Sequence, residues 1–192
     1  MTALTLNLDS IAHLTHAQFR ELCRDNRDVR LELTAEGELI VMPPTGWESG
    51  RRNANLTMDL GLWNRQVGLG IVFDSSTGFI LPNGAVRSPD AAWVAKERIT
   101  ALNPNPDGFL PLAPDFVIEL QSASDRLKTV QHKMQEYIDN GVRLGFLLNP
   151  QDRIVEIYRP GREVEVLLSP AEILGEDVLP GFVLNLKGIF ED

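Results

Sequence analysis

Cysteine is almost missing from this chain: Cys23 is the single thiol among 192 residues, so no intramolecular disulfide can form. A reducing compartment, the cytoplasm, is the simpler expectation. Histidine is scarce too, and His13, His16 and His132 have no Cys or His neighbours at zinc-ligand spacing, which argues against a zinc centre. No apolar run approaches the roughly eighteen residues of a membrane span. No Lys or Arg precedes the apolar start from Met1 to Leu6. Neither insertion nor export is therefore expected. The glycine loop that cradles nucleotide phosphates and the Gly-x-Ser-x-Gly elbow are also missing.

Basic residues are outnumbered 18 to 27, a formal net charge of -9, which excludes a protein that coats nucleic acid through an excess of Lys and Arg. The deficit is uneven. Between residues 51 and 133 nine Lys and Arg stand against eight Asp and Glu, or +1, which leaves -10 for the two flanks. The middle of the chain can thus tolerate a polyanionic substrate such as DNA.

The length suits one domain over residues 1–192, with 43% hydrophobic residues to fill its core. Thr15-His16-Ala17-Gln18 has the form of a capping box and predicts a helix over about 15–25. Val29–Leu33 and Glu38–Met42 flank Ala35-Glu36-Gly37 as a hairpin, and Pro43-Pro44 ends it. Apolar residues three and four apart from Trp47 to Val67 predict a second helix, closed by Gly68 and Gly70. A meander follows, with strands at Ile71–Phe73, Gly78–Leu81 and Val86–Val94.

After a short polar helix near 96–102, the apolar run Phe116 to Gln121 reads as a central strand. Ser122 to Asp125 supplies an N-cap for a helix whose apolar stripe runs from Leu127 to Ile138 and which stops at Asn140-Gly141. Leu144–Leu148 and Ile154–Tyr158 are two further strands, and the tail beyond Val164 carries no clear pattern. The fold class is α/β: a mixed β-sheet flanked by helices, with an N-terminal helix and β-hairpin.

Two carboxylates stand where this pattern predicts burial: Asp90 after Ser88-Pro89, and Glu119 within Val117-Ile118-Glu119-Leu120. A buried carboxylate is costly unless paired, and a divalent cation is an effective partner. Alternate side chains of a strand share a face, so Glu119 and Gln121 can ligate one ion together. Asp115 shares that parity but lies about 13 Å along the strand, too far to join them. Asp90, on another strand, is the better partner. Oxygen ligands of this kind suit Mg²⁺ or Mn²⁺.

Lys133 sits roughly 90° from the centre of its helix's apolar stripe, so it can lean over the sheet and neutralise a phosphate or hold the attacking water. Lys128 is turned further away. The bland alternatives are a turn residue at Asp90, a solvated Lys133, and a Glu48 that only complements its helix dipole.

In six segments the chain resembles the PD-(D/E)XK nuclease superfamily, and within it a bacterial family of restriction-endonuclease-like proteins classed as a domain of unknown function. The segments are Thr45 to Ser49, Val72 to Phe79, Ser88 to Val94, Pro114 to Leu120, Lys133 to Tyr137 and Val155 to Gly161. The resemblance implies that Asp90 and Glu119 bind metal and that Glu48 is the helical acid which often joins them. It implies Gln121 at the position usually held by lysine, with Lys133 on the following helix as the substitute. A metal-dependent endonuclease acting on DNA, working as a homodimer whose paired sites address antiparallel strands, is the activity implied. The alternatives are a catalytically inactive DNA-binding or protein-interaction module on the same fold, and a metal-free structural domain.

Overall fold

The computed structural model describes residues 3–8, 10 and 12–190. Met1 and Thr2, part of the segment read above as no export signal, lie outside the described residues. The elements in chain order begin β1 (Leu4–Leu6), α1 (His16–Asp25), β2 (Arg30–Leu33), β3 (Leu39–Met42), α2 (Trp47–Val67) and β4 (Gly70–Asp74). Next come β5 (Phe79–Ile80), β6 (Val86–Arg87), β7 (Ala91–Ala95), α3 (Lys96–Leu102), β8 (Phe116–Leu120) and α4 (Leu127–Asp139). The chain closes with β9 (Leu144–Asn149), β10 (Ile154–Tyr158), β11 (Glu165–Leu168), β12 (Glu172–Leu174), β13 (Val183–Asn185) and α5 (Lys187–Phe190).

The α1 capping box forms as its sequence predicts: Gln18 N donates to Thr15 Oγ1 and Thr15 N to Gln18 Oε1. Helix α2 covers the predicted range and ends on Gly68 at φ 67°, a left-handed position that suits glycine. The strands form two larger sheets and a hairpin. β1-β3-β2-β6-β5 is antiparallel; β11-β10-β9-β8-β7-β4 is mixed, with β8 and β9 parallel; β12 pairs with β13.

The predicted strand Val86–Val94 is two strands in two sheets. β6 ends at Arg87 and β7 starts at Ala91. Pro89, which has no N–H to give a ladder, stands at the break between them. The N-cap of α4 also differs from expectation: Arg126 occupies it without a side-chain bond, and Asp125 instead accepts from Ser122 N at 2.8 Å. The tail holds β11, β12, β13 and α5, whose short alternating segments bury only Ile173, Leu184 and Ile189.

β8 is buried along its length and divides the core. On one face Phe116, Ile118 and Leu120 meet Leu56 and Leu60 of α2 and Phe146 of β9. The Phe116 and Phe146 rings meet edge-on at 4.9 Å, worth about 1 kcal/mol beyond their burial. On the other face Val117 meets Met134 and Tyr137 of α4. Gly145 lets that helix come close, since a Cβ there would stand 2.5 Å from Met134 Cε. The parity that sends Ile118 toward α2 sends Glu119 toward α4. Among the described residues no helix is long and apolar enough to cross a membrane.

Candidate active site

The register Ala91↔Ile118 and Ala92↔Val117, continued by one residue, brings Asp90 opposite Glu119. Asp90 has left the ladder, and its carboxylate takes the place of a strand partner. Oδ2 accepts from Leu120 N at 2.9 Å, and Oδ1 accepts from Asn53 Nδ2 of α2 at 2.9 Å. Burial pushes the Asp90 carboxyl above its usual range, and the Leu120 N–H, Lys133, Arg30 and Asn53 offset only part of that.

Glu119 is 7% exposed on the α4 face, and its Oε1 accepts from Tyr137 Oη at 2.9 Å and lies 2.9 Å from Lys133 Nζ. Burial pushes its carboxyl up to about 7; Lys133 opposes the shift, while the charges of Asp90 and Glu32 add to it. Asp90 and Glu119 thus feel each other's charge across one site. Lys133 itself is held protonated, because attraction to Glu119 and Glu32 outweighs the cost of its burial.

Glu32 is a residue that sequence reasoning missed. It is 2% exposed on β2, in the other sheet, and its Oε1 accepts from Lys133 Nζ at 2.9 Å and from Ser88 N at 2.9 Å. Its Oε2 lies 3.2 Å from Arg87 Nη1, and Arg87 Nε donates to Glu136 Oε2 at 2.6 Å. Burial alone would raise the Glu32 carboxyl, but Lys133, Arg87 and the Ser88 N–H hold it below its usual range. Glu32 therefore ties the site's lysine to the segment that carries Asp90. Its signal in the sequence was an acid within Leu31-Glu32-Leu33, the same acid-in-an-apolar-strand pattern that marked Glu119.

Gln121 lies just past the end of β8. Its Nε2 reaches Asp125 O at 3.5 Å, while its Oε1 is buried without a hydrogen-bond partner. An orphaned acceptor costs about 1–3 kcal/mol in an apolar site. Glu48 is not drawn into the cluster: its Oε1 accepts from Arg52 Nη2 at 2.8 Å, one helical turn on, and Asn53 is the α2 side chain that reaches Asp90. Asp115 stands apart as well, buried between Arg98 and Arg143 and capping Ala95 N at 2.9 Å.

The four carboxylates Glu32, Asp90, Glu119 and Glu136 face two buried cations, Lys133 and Arg87, a formal balance of -2 when all are ionised. Among the described residues no three Asp, Glu, His or Cys side chains converge as a ready metal cage. Mg²⁺ commonly takes only one or two carboxylates and fills its octahedron with neutral oxygens and water. Asp90, Glu119 and the unpartnered Gln121 oxygen fit that demand, and a divalent charge would cancel the excess.

A sheet flanked by helices, with acids at the head of β7 and the end of β8 and a lysine leaning in from α4, defines a restriction-endonuclease-like fold. The Uma2 family model, described as "Putative restriction endonuclease", matches residues 16–187, and the chain belongs to that family. Among solved structures it is similar to "a putative nuclease belonging to DUF820" from Anabaena variabilis ATCC 29413. That likeness has a TM-score of 0.77 at 20% identity and covers 92% of this chain and 97% of that one. A comparison with curated proteins gives no significant match.

Proposed function

We propose that this protein is a Mg²⁺- or Mn²⁺-dependent endodeoxyribonuclease that hydrolyses phosphodiester bonds of DNA, acting in the cytoplasm as a homodimer. The observation that carries the reading is the buried set of Asp90, Glu119 and Lys133, with two raised carboxyls beside an unshared Gln121 oxygen. Family membership and the nuclease fold support it.

Asp90 and Glu119 would hold the metal and Gln121 would complete the shell; Glu48 would join them by giving up its Arg52 partner, now 2.8 Å away. When bound, the metal polarises a phosphoryl oxygen and acidifies a water. Lys133 stays protonated, so it is a hydrogen-bond donor that neutralises phosphate charge or orients the water, and not a general base. Tyr137 fixes Glu119, leaving its second oxygen free to turn toward the metal.

Supercoiled plasmid incubated with Mg²⁺ or Mn²⁺ should be nicked, and Asp90→Ala and Glu119→Ala should each abolish nicking. Equal nicking by these variants would overturn the assignment. One observation favours a second reading, a catalytically inactive DNA-binding or interaction module: Gln121 stands where the superfamily usually carries lysine. Calorimetry separates the two, because an inactive module needs no Mg²⁺ or Mn²⁺ binding.

A further inference from the structure

An open groove of about 740 Å³ runs along α2, with β4 as its opposite wall. Its helical side presents small and polar residues at turn spacing, among them Gly50, Asn53, Thr57 and Gly61. A Cβ added at Gly61 would meet nothing within 4 Å, and one at Gly50 would meet only Thr45 Cγ2 at 3.7 Å. The helix surface there is open to a chain lying against it.

The groove's charge runs against that of the whole protein. Arg30 and Arg65 both line it, and neither guanidinium has an ion pair or hydrogen bond among the described residues. The single acid on the wall is Asp74, whose Oδ1 is turned to Ser76, accepting from its N at 3.0 Å and its Oγ at 2.6 Å. Two cations against one acid leave +1 on the groove, in a chain of -9.

The groove adjoins the candidate active site at Asn53. Asn53 lines the groove and donates to Asp90, and Arg30 is close enough to lower the Asp90 carboxyl. Arg65 is twelve residues further along the helix, about 18 Å at 1.5 Å per residue. That span covers several phosphates of one strand, since about 3.4 Å is only their rise along a duplex axis and the winding backbone sets them further apart.

We propose that this groove binds the backbone of one DNA strand leading away from Asp90 and Glu119. Arg30 contacts a phosphate beside the site, and Arg65 contacts another one several nucleotides further on, about 18 Å away along the helix. The direction of the strand rests on the nuclease reading; the phosphate contacts do not. Phosphate contacts position a strand without reading its bases, so the groove binds without sequence preference.

The test is fluorescence anisotropy of a labelled duplex of unrelated sequence, titrated with wild type, Arg30→Ala, Arg65→Ala and Arg162→Ala across a salt series. It is done in EDTA and again in Ca²⁺. Arg162 is exposed and lies outside the groove. Each groove variant should lower the slope of log affinity against log salt by about 0.9, the value for one lost phosphate contact. Arg162→Ala should leave the slope unchanged, and a second sequence should give the same results. Unchanged slopes for Arg30→Ala and Arg65→Ala, an equal drop for Arg162→Ala, or no DNA binding in either buffer would overturn the groove assignment. Binding is read without cleavage, so a failed nicking assay leaves this result standing.

Discussion

Lys133 Nζ lies 2.9 Å from Glu119 Oε1, and this contact joins α4 to β8 inside the core. Neither group could be buried alone without a large desolvation cost, and each is the other's partner. The pair places the Lys133 ammonium against Glu119, whose carboxyl, like that of Asp90, holds its proton more tightly than usual. Structure and chemistry are therefore coupled at one contact.

Removing the lysine should damage both. Lys133→Met is expected to lose on the order of 3–5 kcal/mol in urea denaturation, since it strands two buried acids. Nicking should fall by at least about a hundredfold, the scale for losing one positioned charge at the transition state. A variant of wild-type stability would show that the ammonium is not buried as described.

Glu32→Gln tests the tie between the two sheets. The amide can keep a bond to the Ser88 N–H, but it loses its charge against Lys133 and Arg87. The fold should survive with a loss of about 1–3 kcal/mol. Nicking should drop through kcat more than KM, because Lys133 then pairs with Glu119 alone. An unchanged kcat would leave Glu32 with only a structural role.

The metal-free protein should have a distinctive pH dependence. The folded Glu119 carboxyl stands at about 7 against an ordinary 4.5, and Asp90 is raised too. With raised folded values, the folded state binds more protons than the unfolded one between those limits, so stability falls as pH rises. The contribution is fully present below pH 4.5 and lost as pH passes through 7. Glu119→Gln should flatten that part of the curve in denaturant titrations at several pH values. A metal-free protein whose stability rises from pH 5 to 7 with no such difference would contradict the burial assigned to Glu119.

Asp115→Asn supplies a contrast. Asp115 is as buried as Glu119 but pairs with Arg98 and Arg143 and caps Ala95 N, away from the cluster. Its substitution should cost about 1–3 kcal/mol of stability. The affinity for Mn²⁺, read by calorimetry on the folded variant, should not change.

Local chemistry was readable from the sequence where one segment sufficed. The Thr15 capping box, the α2 span from Trp47 to Val67 and the acid inside the apolar β8 strand each carry their signal within a few residues. The lean of Lys133 over the sheet followed from helical angles alone, since the stripe fixes which face α4 buries. Asp90 was found as an acid out of place in a strand, yet the strand break at Pro89 that separates β6 from β7 was not. Val86 and the apolar run from Ala91 both read as strand, and only tertiary packing assigns them to different sheets.

Glu32 was missed for a related reason. An acid in a short hairpin strand near the N-terminus looks solvated until Arg87 and helix α4 cover it, and Lys133, its partner on that helix, is 101 residues away. The Glu48 expectation rested on family resemblance and on the helix start, and neither signals the ion pair with Arg52, four residues on, that its carboxylate makes in the structure.

The most direct test of the central claim is a crystal of the protein soaked in Mn²⁺ and measured at the manganese absorption edge. The account expects one anomalous peak within about 2.2 Å of carboxylate oxygens from both Asp90 and Glu119, with Gln121 Oε1 turned toward it, and no peak in Asp90→Asn crystals. A wild-type map without that peak, or with manganese bound away from these two acids, would contradict it.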